Sequence, residues 1–144
     1  MSTEVLFRVC NLGVAPGWIL LLVSPRWKWT QRIAMFTLPA LLSLVYVWLY
    51  IATFEGLHAN FSSLGAAVYQ FHSPALVLLA WVHFLAFDLF VGSWIVRDSR
   101  RFRILHAAVV PCLLLTLLFG PMGLLLYLSI RTGMRRGSGA AETT

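Results

Sequence analysis

A single carboxylate lies deep inside an apolar run. Asp88 stands in the stretch Trp81-Val82-His83-Phe84-Leu85-Ala86-Phe87-Asp88-Leu89-Phe90-Val91-Gly92, eight residues before the run ends at Val96. At 1.5 Å per helical residue that is about 12 Å from the end. Carrying an ionisable group into hydrocarbon costs about 2.5 to 3.5 kcal/mol on insertion scales, so one that stays there is a functional candidate by default. Such a carboxyl is either protonated or paired, and in either state it can exchange a proton or hold a polar group of a ligand. The structural alternative is a hydrogen bond to Asn11, at comparable depth in the first apolar run, or an ion pair with an arginine. His83 precedes Asp88 by five residues, about 140° round a helix, so the two side chains do not share one face, though they could reach one cavity from its two flanks. Its own alternative is an interhelical hydrogen bond. Asp88 and His83 are the candidate catalytic acid and base. Trp81, Phe84 and Phe87, with Asn11, are candidates for the wall of a binding pocket.

Other chemistries fail on residue types. A di-iron centre draws on carboxylates and histidines from several facing helices, whereas this chain has His58, His72, His83 and His106 and a lone Glu-x-x-His element, Glu55 to His58. Two haem-ligating histidines must share a depth, which leaves only the outer pair His58 and His72. No dinucleotide fingerprint, phosphate-binding loop or nucleophile elbow occurs. Cys10 and Cys112 lie in apolar runs with no metal-ligand spacing and read as buried thiols. No metal and no cofactor is expected.

The elements that must position these residues are membrane spans. Of 144 residues, 60% are hydrophobic and 11% charged, against about 25% charged for a soluble domain. Four stretches reach the roughly 20 apolar residues a span needs, at about 5–23, 33–54, 74–96 and 107–130. The expected fold is all-α: a polytopic bundle of four transmembrane helices forming one domain over 1–130, then a basic and disordered tail over 131–144. Ser62 or Ser63 could cap a short interfacial helix between the second and third spans, with Phe61, Leu64, Val68 and Phe71 on one stripe. In the fourth run Pro111 and then Phe119-Gly120-Pro121-Met122-Gly123 interrupt the helix. A kink is expected near Gly120, with its freed carbonyls facing protein or a cavity, which adds Gly120 and Pro121 to the binding candidates. Pro16-Gly17 is a similar site in the first helix. Thr37, Tyr46, Tyr50 and Thr116 could complete a polar centre.

Eleven basic residues, ten of them arginine, face five acidic ones. They cluster between spans, as topology signals do, so nucleic acid is not an expected partner. The segments 24–32 and 97–103 are basic and 55–73 has no Lys or Arg, which puts the two basic loops inside and both termini outside. Arg131, Arg135 and Arg136 resist that orientation. The expected location is a multi-pass cell membrane protein, and the arginine bias together with the lack of a transit peptide points to a bacterial inner membrane. Expected partners are membrane lipid and a second copy of the chain or a membrane partner protein.

The segment from Trp81 through Gly92-Ser93-Trp94-Ile95, followed by Leu117-Leu118-Phe119-Gly120-Pro121-Met122-Gly123-Leu124-Leu125, resembles the abscisic-acid-deficient-type family of small membrane proteins. Asn11 with Pro16, Ser24-Pro25 with Thr30, and Phe61 with Leu64 are weaker elements, and together they cover most of residues 5–128. The resemblance implies a four-helix membrane fold and involvement with carotenoids, since plant members serve neoxanthin synthesis. In that conversion an epoxide opens while a nearby proton leaves to form an allene, with no net redox and no formal need of a metal or flavin. The resemblance leaves open whether members catalyse this step or assist another protein; for a cofactor-free isomerase, Asp88 and His83 are the acid and base this sequence offers, and the substrate-binding set, for an apolar isoprenoid or carotenoid ligand, extends to Gly92 and Trp94. The alternative is a non-catalytic pigment- or lipid-binding or assembly subunit, followed by a small transporter subunit.

Overall fold

The computed structural model describes residues 2–53 and 63–141, and the described residues form helices and turns only. Helix α1 spans Thr3–Val23, α2 Arg32–Thr53, α3 Leu64–Gln70, α4 Pro74–Arg101, α5 His106–Phe119 and α6 Pro121–Ala141. Phe61 and Ser62 of the expected interfacial stripe, and the Glu55 to His58 element, lie outside the described residues. Ser63 caps α3 by accepting a hydrogen bond from the Ala66 N–H at 3.2 Å.

The long α4 lies at the centre, with α1, α2 and the α5–α6 pair packed around it. Between membrane helices water expulsion gives no driving force, so small residues that let backbones approach supply the packing. Gly92 shows this. A Cβ there would come within 2.9 Å of the Trp18 ring, which fixes the distance between α1 and α4. Leu21, Val82, Leu89, Ile95, Val96 and Leu113 are fully buried around this contact. α1 runs unbroken through Pro16, and Gly17 serves packing, since a Cβ there would come within 2.9 Å of Leu38 and Leu89. α2 begins as a π-helical stretch, Arg32–Thr37. The turn before it is tied by the buried Thr30 hydroxyl, which donates to the Ser24 carbonyl at 2.6 Å.

Two expectations are corrected. The third span does not stop at Val96. α4 continues to Arg101, because arginines in a last turn interact favourably with the helix's carbonyl end and do not break it. The fourth run is not one helix over 107–130. α5 stops at Phe119, Gly120 adopts φ +50, and α6 turns back along α5. The reversal is visible at Gly123, where a Cβ would collide with the Cys112 carbonyl and the Thr116 hydroxyl, residues a straight helix would hold about 16 and 10 Å away along its axis. α5, 14 residues long, extends about 21 Å, short of the roughly 30 Å of hydrocarbon. The tip of the hairpin sits beside Asp88, and Arg131 of α6 reaches Asp98 of α4. Counted from Asp88 and Pro121, each partner is ten residues further on, so α4 and α6 run side by side in one direction. Beyond Arg136, where a disordered tail is expected, α6 continues to Ala141, and residues 142–144 lie outside the described residues.

The hairpin also changes the distribution of charge. Arg100 donates to the Pro25 carbonyl at 3.4 Å and His106 lies 2.9 Å from the Leu22 carbonyl, which gathers the two basic segments at one end. Arg131 joins them through Asp98. The start of α1 lies at the opposite end, where Thr3 and Glu4 face Pro74. The start of α1 and Arg131 of α6 therefore lie at opposite ends of the bundle.

Candidate functional site

Asp88 is half-buried on α4. A Cβ on Gly120 would lie 3.0 Å from its Oδ1, so any side chain at 120 would press on the carboxylate as well as strain a left-handed backbone. The hairpin tip joins the carbonyl end of α5 to the N–H end of α6. Gly120 N–H donates to the Thr116 carbonyl at 2.9 Å and Gly123 N–H to the Gly120 carbonyl at 3.1 Å, leaving other terminal backbone groups beside Asp88 without helical partners. Polar backbone of this kind survives at membrane depth only against protein or a cavity. Among the described residues, no side chain donates a hydrogen bond to Asp88.

The residues expected around Asp88 divide into three groups. His83 lies within electrostatic reach of it. The imidazole stacks on Phe87 with ring centroids 4.5 Å apart, meets Phe84 edge-on at 6.0 Å, and faces Tyr46 of α2 at 6.0 Å. His83, Phe84, Phe87 and Tyr46 form an aromatic surface on the exposed side of α4, next to Asp88 in sequence and one turn from it in space. A second group sits about 10 Å further along α4. There the Trp81 indole N–H donates to Asn11 Oδ1 at 3.1 Å, Asn11 donates to the Phe7 carbonyl at 2.9 Å, and Phe7 packs on Trp81 with centroids 5.4 Å apart. Asn11 is thus committed to Trp81, and the expected Asp88–Asn11 pairing is absent. The third group serves packing: Gly92 faces Trp18 and Trp94 meets Tyr127 edge-on at 5.8 Å. Pro121 opens α6. The wider polar centre does not assemble, because Thr37 and Thr116 donate within their own helices to Arg32 and Cys112. At the end of the molecule holding the α1 start, a cleft of about 430 Å³ is lined by Thr3, Glu4, Phe7, His72, Pro74, Val77 and Leu78. It is separate from Asp88.

Sequence reasoning missed a second constellation. Asp98, assigned to a basic loop, is buried at 5% exposure in α4. The fully buried Tyr127 donates its hydroxyl to Asp98 Oδ2 at 2.7 Å, and Arg131 Nε lies 3.1 Å from the same oxygen. That second contact is an ion pair by distance whose N–H is not aligned as a hydrogen bond. The Arg131 guanidinium also lies 4.4 Å from the Phe102 ring. The available signal was one acid among four arginines, with a tyrosine and an arginine four apart further along the chain.

Three helices among the described residues long and apolar enough to cross a bilayer, with a hairpin that places a polar turn against a carboxylate midway along the longest of them, mark a helical membrane protein. Residues 5–127 match the family model ABA4-like, described as ABA DEFICIENT 4-like, and the chain belongs to that family. This agrees with the resemblance carried by the Trp81 to Ile95 and Leu117 to Leu125 segments, and links the protein to carotenoid metabolism. A comparison with curated proteins and one with solved structures returned no match.

Proposed function

We propose that the protein is a cofactor-free isomerase of a carotenoid-like or other isoprenoid substrate, with Asp88 as its intramembrane acid–base group. The observation that carries this reading is a carboxylate at mid-depth, without a hydrogen-bond donor among the described side chains, set against the polar tip of the α5–α6 hairpin. An apolar substrate enters sideways from the hydrocarbon along His83, Phe84 and Phe87, where flat rings match a conjugated chain. Protonated Asp88 gives its proton to an epoxide oxygen as the C–O bond opens, and a proton leaves a neighbouring carbon as the new double bond forms, with His83 as the base. One proton enters and one leaves, so no oxidant or reductant is needed.

The test is expression of the full chain in a carotenoid-producing host, with pigments separated by chromatography. A product of unchanged mass that disappears with Asp88→Asn, at similar yield of folded protein, supports the isomerase. Normal conversion by the variant removes Asp88 from the chemistry. A second reading, a pigment- or lipid-binding or assembly subunit, is favoured by the exposed Phe84, Phe87 and Phe90 on α4. Pigment retained by the purified protein, with no new product in either form, would decide for it. In both readings the basic end faces the cytoplasm, by the positive-inside rule, of a bacterial inner membrane.

A further inference from the structure

The basic end of α4 carries a cleft that the acid–base reading does not use. Trp94, Arg97, Asp98 and Arg101 line a space of about 210 Å³ there. Asp98 does not neutralise the two arginines flanking it, because its Oδ2 is taken by Tyr127 and Arg131. Arg97 points a guanidinium nitrogen to the Met35 thioether at 3.9 Å. Among the described residues the ion pairs are Arg8–Glu4 and Arg131–Asp98, so neither Arg97 nor Arg101 has a carboxylate partner. They lie four residues apart, one above the other on the helix face.

The same face continues into the apolar part of α4. Phe87, Phe90, Trp94, Arg97 and Arg101 follow at spacings of three and four, which makes one stripe along a helix. Phe87 and Phe90 are exposed, and Trp94 stands between them and the arginines, as an aromatic ring does at a membrane–water boundary. Paired guanidiniums recognise phosphate oxygens through charge-assisted, bidentate hydrogen bonds. A soluble phosphate would use only the arginines, whereas a phospholipid would also lay its acyl chain along Trp94, Phe90 and Phe87. We propose that this stripe is a binding site for an anionic phospholipid, with Arg97 and Arg101 bracketing the headgroup phosphate. The site does not depend on the isomerase reading.

The experiment is native mass spectrometry of the full chain in mild detergent with equal amounts of phosphatidylglycerol and phosphatidylcholine. Wild type is expected to retain phosphatidylglycerol with a preference of about tenfold or more, since each arginine near a membrane surface adds to anionic lipid affinity. Arg97→Gln with Arg101→Gln should bring the preference to within about twofold, and the paired lysine variants should keep part of it. Arg100→Gln, whose side chain bonds the Pro25 carbonyl, should leave it unchanged. If the double variant does not fold, the single variants Arg97→Gln and Arg101→Gln are read in the same way. Absence of a preference in wild type, equal preference in the glutamine variants, or full displacement by millimolar inorganic phosphate would each overturn the proposal, the last by showing a soluble-anion site.

Discussion

Asp88 and Asp98 stand ten residues apart on one helix, and α6 passes close to both, yet their surroundings are opposite. Asp98 is enclosed, accepts the Tyr127 hydroxyl at 2.7 Å and pairs with Arg131 at 3.1 Å. Asp88 meets a glycine and an open turn. A carboxylate whose lone pairs are committed holds two helices together, and one left uncommitted at similar expense to the fold is available to a ligand. The same α5–α6 hairpin produces both states: its stem satisfies one aspartate and its tip leaves room beside the other.

The comparison breaks most visibly at Asp98. Asp98→Ala leaves Arg131 partly buried without a counter-ion and removes the Tyr127 acceptor, so a loss of about 3 kcal/mol is expected, while Asp88→Asn should change stability by less than about 0.5 kcal/mol. Thermal unfolding of the two variants in one detergent measures both, and equal losses would mean that Asp88 is structural as well. Gly123→Ala comes next. Its methyl group cannot fit against the Cys112 carbonyl, and overpacking of this kind costs about 1 to 3 kcal/mol. Because it opens the hairpin, pigment conversion should fall along with stability, and unchanged conversion would mean that the tip is not part of the site. The smallest effect is expected for Trp81→Phe, which removes the hydrogen bond to Asn11. Membrane side-chain hydrogen bonds average about 0.6 kcal/mol, so the melting temperature should move slightly and conversion should persist.

Much of this was legible in the sequence. The apolar runs coincide with α1, α2 and α4 to within five residues at each end, one of the two cap candidates, Ser62 and Ser63, caps α3, and Gly120-Pro121 announced a break. What the break does was not legible, because a Gly-Pro pair permits a kink and a reversal alike. The choice depends on Gly123 fitting against Cys112 and Thr116, a contact between residues whose relation only the folded chain sets. The same limit hid the Asp98 cluster. Charged residues after an apolar run read as a loop, and nothing local shows that one of them faces a tyrosine 29 positions away. Asp88 stood out because a carboxylate in apolar surroundings is visible from neighbours in sequence, but its separation from Asn11 was not.

The hairpin has a consequence for how the chain enters the bilayer. A fourth full crossing would require Arg131, Arg135 and Arg136 to be carried through hydrocarbon, where each arginine meets a barrier of several kcal/mol. Because α5 rises only to the depth of Asp88 and α6 returns, the last forty or so residues can be laid in from the face where the basic loops already wait, after α4 is in place, and none of those arginines has to be translocated.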